Sequence, residues 1–220
     1  MSGLIKSSLA RKVTMALSGL FLVFFLLFHC TVNMTSVFSP DTYNEFSHFL
    51  GTNFVVQVFM QPVLIFGVIF HFIMGFILEI KNRSSRNIKY TMYKGGANAS
   101  WVSRNMIISG AVILAFLGLH FSDFFIPELV HKYIETNPEN PTRYYPELLH
   151  KFENPIRIGF YVVSFVLLSM HLWHGFASAF QSMGVNNKYT VSLKSLTKVF
   201  AIVVPAAFIF IALFHHFNGH

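Results

Sequence analysis

Eleven histidines stand in a chain of 220 residues that is otherwise strongly apolar. Five of them, His29, His71, His120, His171 and His174, fall inside long apolar runs and away from their ends. His215 and His216 close the last such run. An ionisable group placed in this way is costly and marks a functional site by default. Neutral imidazole can ligate a metal, relay a proton, or satisfy a backbone carbonyl. Depth along the helices separates these uses. Counted from the basic residues that flank each run, His29 lies 17 residues beyond Lys12 and His120 lies 16 beyond Arg104. At a rise of about 1.5 Å per residue both sit roughly 25 Å from that boundary. His71 and His171 each lie 10 residues from the same boundary, at Lys81 and Gln181, hence at roughly 15 Å. Two histidines therefore share one level and two share another, and each comes from a different run.

Two couples of imidazoles stacked about 10 Å apart suit two haems, each held on both axial sides. Such a haem carries electrons and has no open position for a small ligand. A thiolate ligand is disfavoured, because the single cysteine, Cys30, follows His29 and is turned about 100° away from it. His71 and His171 are each followed four residues later by a glycine, Gly75 and Gly175. A glycine one turn from a ligand lies on the ligand's face, where it would admit a flat macrocycle or, equally, a neighbouring helix. His174 competes with His171. Depth favours His171 as the ligand and leaves His174 as an alternative ligand, or as a contact to a propionate or a quinone.

The elements that must carry these residues follow from composition. Hydrophobic residues make up 54% of the chain, charged residues only 11%, and 27 residues are Phe; an average soluble domain is roughly 25% charged. Mean hydropathy is +0.54. These values define an integral membrane protein and exclude disordered, collagen-like and disulfide-stapled chains. A bilayer core of about 30 Å needs roughly 20 apolar residues of helix. Five stretches qualify, about 13–34, 54–80, 105–125, 156–180 and 199–217. None alternates with period two, so a membrane barrel is not expected. The expected fold is an all-α, five-helix transmembrane bundle forming a single membrane domain over 1–220, with no clear internal repeat. The apolar run near the N-terminus is too long for a signal peptide, and Phe28-His29 before Cys30 is not a small-residue cleavage site.

The net charge of +7 is distributed by side. With five spans, twelve Lys and Arg residues fall on the side of the N-terminus and four on the other. The positive-inside rule then predicts a cytoplasmic N-terminus and an outside C-terminus. Anionic lipid is the expected electrostatic partner; no basic–aromatic interleaving points to nucleic acid. Carboxylates in or near the spans are few: Asp41, Glu45, Glu79 and Asp123. Glu45, before the second span, is a candidate base for a quinol site or a solvated loop acid. Arg157, at the start of the fourth span, is a candidate partner for a haem propionate or an interfacial anchor.

On these residues the chain resembles the cytochrome b membrane anchor of succinate:quinone oxidoreductases (succinate dehydrogenase and fumarate reductase), in the form with one anchor polypeptide, five helices and two b haems. The resemblance rests on the basic N-terminus, on His29, on His71 within Phe-His-Phe-Ile-Met-Gly, on His120, and on the segment Met170-His171-Leu-Trp-His-Gly-Phe-Ala-Ser-Ala-Phe-Gln. It implies that His29 and His120 hold the haem iron of a distal haem and His71 and His171 that of a proximal one. It implies a flavoprotein subunit and an iron–sulfur subunit docked on the cytoplasmic side, electron exchange with quinone, usually menaquinone, and residence in the bacterial inner membrane. The chain would then be no enzyme on its own but the quinone-reacting, electron-transfer subunit of a respiratory complex. Two other readings use the same residues: a dihaem anchor for another membrane dehydrogenase, such as a hydrogenase or formate dehydrogenase, and a haem-free proton-coupled transporter. The second lacks the paired discontinuous helices or inverted repeat that would support it.

Overall fold

In a bilayer every backbone polar group must be satisfied within the chain, and the chain does this with helices. The computed structural model describes residues 7–84, 106–185 and 188–219, and among them there is no strand. Lys6, Arg86, Lys89, Lys94 and Arg104, which contribute to the charge asymmetry, and Asn105, the first residue of the third expected span, lie outside the described residues.

Helix α1 (Ser8–Phe38) starts at Ser7, whose side chain accepts the Ala10 N–H, and stops two residues before Pro40, where the proline disfavours helical backbone in the residue before it. Ser39 then serves as the N-cap of α2 (Pro40–Thr52), its hydroxyl accepting the Thr42 N–H at 3.2 Å. Proline in the first turn and Asp41 beside it are favourable at a helix start. The segment between the first two spans is therefore largely helical, not a plain loop, and the Ser-Pro-Asp sequence was its local signal. Helix α3 (Gln61–Ser84) is entered through a wide turn, Val56–Met60, whose N-terminus is held by Asn53 Oδ1.

The third apolar helix, α4 (Met106–Ile134), runs well past the apolar stretch that ends near residue 125. It widens twice, at Phe121–Phe125 and Val130–Ile134, where N–H groups bond five residues back instead of four. Pro127 lies between these turns and has no N–H to donate, which accounts for a locally loosened ladder. The short helix α5 (Tyr144–Phe152) follows, then α6 (Pro155–Ser182), capped by Asn154, whose side chain accepts the N–H groups of Ile156 and Arg157. Gly184, at φ +80°, terminates α6 in the left-handed conformation that glycine adopts without steric cost. Helix α7 (Thr190–Asn218) completes the set and carries Pro205 in its interior.

Five of these helices, α1, α3, α4, α6 and α7, are long and apolar enough to cross a membrane. Around the bundle α3 packs on α1, α1 on α6 and α6 on α4, while α4 only lightly touches α3. Helix α7 lies in the groove between α1 and α6 and makes its most extensive contact with α6. The packed core sits there: Ala201 and Ala212 are fully buried, and Phe165 stacks on Phe208 at 5.2 Å.

Where α1 ends, α2 and α5 close over the bundle. Asn44 Oδ1 accepts the Tyr145 N–H at 2.8 Å, and Leu148 and Phe152 insert beneath. Arg143, which precedes α5, bonds Glu128 of α4 and Glu147 of α5, while Lys132 pairs with Glu128 and reaches the Gly51 carbonyl. His215 meets Ser36 Oγ at 2.7 Å, and His216 Nδ1–H donates to the Phe152 carbonyl at 2.8 Å. These two histidines, left unassigned by sequence, tie α7 to α1 and α5.

Tyr43 in this cap is buried, and burial, reinforced by the Glu147 carboxylate and opposed by a hydrogen bond to Ser47, pushes its phenol up to about 12. An unfolded tyrosine titrates near 10. Between those values the folded chain keeps a proton that the unfolded chain has lost. The contribution is complete below pH 10 and disappears as pH climbs toward 12, amounting to about 2–3 kcal/mol. Alkaline unfolding followed by circular dichroism in detergent is expected to show this slope in the wild type. Tyr43→Phe should have a shallower slope, and an unchanged slope in the variant would refute the assignment.

Candidate functional site

The ligand candidates sit on helices that face each other diagonally. His29 belongs to α1 and His120 to α4, while His71 belongs to α3 and His171 to α6. Neither diagonal pair of helices packs closely backbone to backbone, and between α1 and α4 the histidine side chains meet across the space. Burial agrees. Only 11% of the apolar window of α1, α3 or α4 is buried, against 39% for α7.

The rings of His29 and His120 stand 5.7 Å apart, nearly perpendicular. Phe25 stacks on His29 at 5.4 Å and Phe116 on His120 at 5.9 Å; Phe208 and Phe124 close the sides. This is an apolar box around two imidazoles. His120 Nδ1 is buried and has no hydrogen-bond partner among the described residues, an arrangement that calls for an explanation. Asn33 turns its amide toward both ring nitrogens of His29, at 3.3 and 3.5 Å, and donates to the His29 carbonyl at 2.8 Å.

The second couple is arranged differently. His71 Nδ1 lies 3.0 Å from Ser18 Oγ of α1, and His171 Nδ1 lies 3.1 Å from Ser109 Oγ of α4. Each serine in turn donates to a carbonyl three residues back, Met15 or Met106, at 2.9 Å. Gly19 and Gly110 face the same imidazoles: a Cβ on Gly19 would lie 3.3 Å from His71 Cε1, and one on Gly110 would lie 3.7 Å from His171 Cε1. His171 lies within electrostatic reach of both His71 and His174.

The glycines singled out by sequence behave otherwise. Gly75 receives the tip of Met15 and Gly175 the tip of Met106. Of the two uses open to them, the structure shows helix packing; the glycines beside the imidazoles are Gly19 and Gly110. With these contacts in view a gapped repeat becomes legible. Helix α1 reads Met15-x-x-Ser18-Gly19-x5-Phe25-x3-His29, and α4 reads Met106-x-x-Ser109-Gly110-x5-Phe116-x3-His120. Serine and histidine are eleven residues apart in each helix, close to three turns, so they share a face about 16 Å apart. That separation exceeds the roughly 10 Å counted from the residues that flank each run.

The remaining candidates separate. Arg157 places its Nε 3.4 Å from Asp123 Oδ2, and Tyr161 donates to the same oxygen at 2.9 Å. Its observed partner is thus a protein carboxylate. Asp123 lies within the first widened turn of α4, three residues beyond His120, and is buried. Glu45 is exposed on α2. His174 is half-buried on α6.

The donor set can be tested against a haem. Two imidazoles bonded to one metal at about 2 Å each hold their ring centres about 6 Å apart, and the His29–His120 couple stands close to that spacing. A hydrogen-bonded Nδ1 on a ligating histidine fixes its tautomer and orientation, and His71 and His171 both have such a contact. The first couple fits the group by its spacing, and the second by the outer contacts of its imidazoles. No family model matches the chain, and no curated protein or solved structure is significantly similar to it.

Proposed function

We propose that the chain is the dihaem cytochrome b anchor of a succinate:quinone oxidoreductase, passing electrons between an iron–sulfur subunit and quinone, with menaquinone the expected form. The observation that carries this reading is the arrangement of four histidines as two couples, each drawn from helices on opposite sides of the bundle. His29 and His120 would hold one haem and His71 and His171 the other; bis-imidazole iron porphyrins supply single-electron transfer without an open coordination position. Phe25, Phe116, Phe124 and Phe208 exclude water from the first couple. Ser18 and Ser109 orient the second. Gly19 and Gly110 let the neighbouring helices approach those imidazoles.

The N-terminus is assigned to the cytoplasm on the distribution of Lys and Arg, and the basic face there suits an acidic docking partner or lipid headgroups. The flavoprotein and iron–sulfur subunits would dock on that face, in a bacterial inner membrane. The cap formed by α2 and α5 would then lie outside, with Glu45 exposed on it as the candidate quinol-site base.

The test is an optical spectrum of the purified chain after dithionite reduction, with haem content and co-purifying subunits measured on the same preparation. A b-type α band, two haems per chain, and a flavoprotein and an iron–sulfur subunit in the complex are expected. Absence of the band would refute the haem reading. A hydrogenase or formate dehydrogenase in place of the flavoprotein would keep the haems and refute the partner.

A further inference from the structure

We propose that Ser18 and Ser109 are positioning residues that act together on one of the two metal centres, fixing the tautomer of His71 and His171 so that Nε2 of each is the coordinating nitrogen. The inference rests on the haem reading above and adds to it residues that lie on neither ligand helix of that couple.

The geometry is paired. Ser18 Oγ stands 3.0 Å from His71 Nδ1 and Ser109 Oγ stands 3.1 Å from His171 Nδ1. A serine hydroxyl has one proton and two lone pairs. Here each hydroxyl also stands 2.9 Å from a carbonyl of its own helix, Met15 O or Met106 O. The proton goes to that carbonyl, so the hydroxyl accepts from the ring and Nδ1 carries the hydrogen. Nε2 is then unprotonated and available to iron. The opposite polarity would put the hydrogen on Nε2 and block coordination. Serine is thus locked as an acceptor by its own helix backbone, and the lock is built twice, at equivalent positions of α1 and α4.

The other couple lacks this device. His120 Nδ1 has no partner among the described residues, and His29 faces the amide nitrogen of Asn33, which is a donor. The two centres therefore differ in their outer contacts although all four ligands are imidazoles. An Nδ1–H that donates makes the imidazole a more basic ligand, and hydrogen bonding around the ligands is one of the levers that tune a haem's potential. A more basic ligand favours ferric iron. Removing the acceptor raises the midpoint potential of that haem alone.

The test uses the full chain purified with its haems: wild type, Ser18→Ala, Ser109→Ala, the double variant, Ser18→Thr and Ser109→Thr. Ser36→Ala is the control, because it removes a serine–histidine contact of the same kind, to His215, at the far end of the bundle. Redox titration and the low-temperature EPR signals of the two ferric haems are the readouts. Each alanine variant is expected to raise the midpoint and move the ferric signal of the same haem, or to release that haem while keeping the other. The double variant should do so further, both threonine variants should restore wild-type values, and Ser36→Ala should leave both haems unmoved. Two haems in every variant with unmoved midpoints and signals would overturn the proposal and leave the haem reading intact. So would a shift of different haems by Ser18→Ala and Ser109→Ala, or the same shift from Ser36→Ala. A wild-type chain without haem would overturn both. Should an alanine variant lose both haems, Ser18→Cys and Ser109→Cys, which keep the size and offer only a weak sulfur acceptor, are judged by the same criteria.

Discussion

In a His120→Ala variant, haem content is expected to fall from two per chain to one, with the His71–His171 centre retained. The expectation follows from how the couples are separated. His120 faces His29 across the bundle at 5.7 Å, whereas the other couple is held by Ser18 and Ser109, three turns away on the same helices. Alanine removes one imidazole of the proposed haem site and leaves an opening among Phe116, Phe121 and Phe124, which pack around the histidine ring. It introduces no polar group and keeps strong helix propensity, so α4 is expected to persist. His29→Ala should remove the same haem, and His71→Ala or His171→Ala the other. Pyridine haemochrome quantification, with the reduced spectrum of each variant, reads the result directly. If His120→Ala keeps both haems, His120 is no ligand. If His29→Ala and His120→Ala remove different haems, the couples are joined wrongly.

Asp123→Ala is expected to be the most destabilising single change outside the histidines. Asp123 is 4% exposed and accepts from the Tyr161 hydroxyl at 2.9 Å while facing Arg157 Nε at 3.4 Å. Removing the carboxylate leaves a buried phenol without its acceptor and a guanidinium without its counter-charge. Breaking a fully buried ion pair costs about 3–5 kcal/mol. Arg157 is 31% exposed and can reach polar surroundings with its long side chain, so the expected loss is smaller, about 2–3 kcal/mol. Asp123→Asn keeps a carbonyl for Tyr161 and should lose about half as much. Thermal unfolding in detergent measures the series, and a double-mutant cycle with Tyr161→Phe isolates the hydrogen bond. Because Asp123 follows His120 by three residues in the first widened turn of α4, the His29–His120 centre should be lost at lower temperature than the other. An Asp123→Ala chain as stable as wild type would show that the cluster contributes nothing to the fold.

Much of the candidate site is legible in the residues, but in unequal ways. His29, His71, His120 and His171 stand out because imidazole is rare and costly in an apolar run. Ser18 and Ser109 do not, because a serine in a membrane helix is ordinary and bonds its own backbone. The signal that could have exposed them is the repeat of Met, Ser, Gly, Phe and His at equal spacing in α1 and α4, which is hidden among the many other apolar residues. Gly75 and Gly175 stand out because H-x-x-x-G is a contiguous pattern, whereas Gly19 and Gly110, the glycines beside His71 and His171, come from neighbouring helices and share no linear pattern with them. Arg157 and Asp123 were each visible as rare charges, yet nothing in linear spacing says that residues 34 positions apart meet. Helix α2 is signalled by Ser39, Pro40 and Asp41, which form a good helix start, but its low apolar content keeps it out of the pattern of membrane-crossing runs.

By itself the sequence determined the number of crossing helices, because lipid offers the backbone no partners and a bilayer sets the length of apolar chain needed to cross it. It also determined the spacing of the histidines from the ends of their apolar runs, since rise per residue is constant along a helix. Only the tertiary structure decided which face each helix turns to its neighbours. Rotation about a helix axis is set by side-chain packing between helices, so the diagonal couples, the two serine contacts and the Asp123–Tyr161–Arg157 cluster exist only once the helices are packed together.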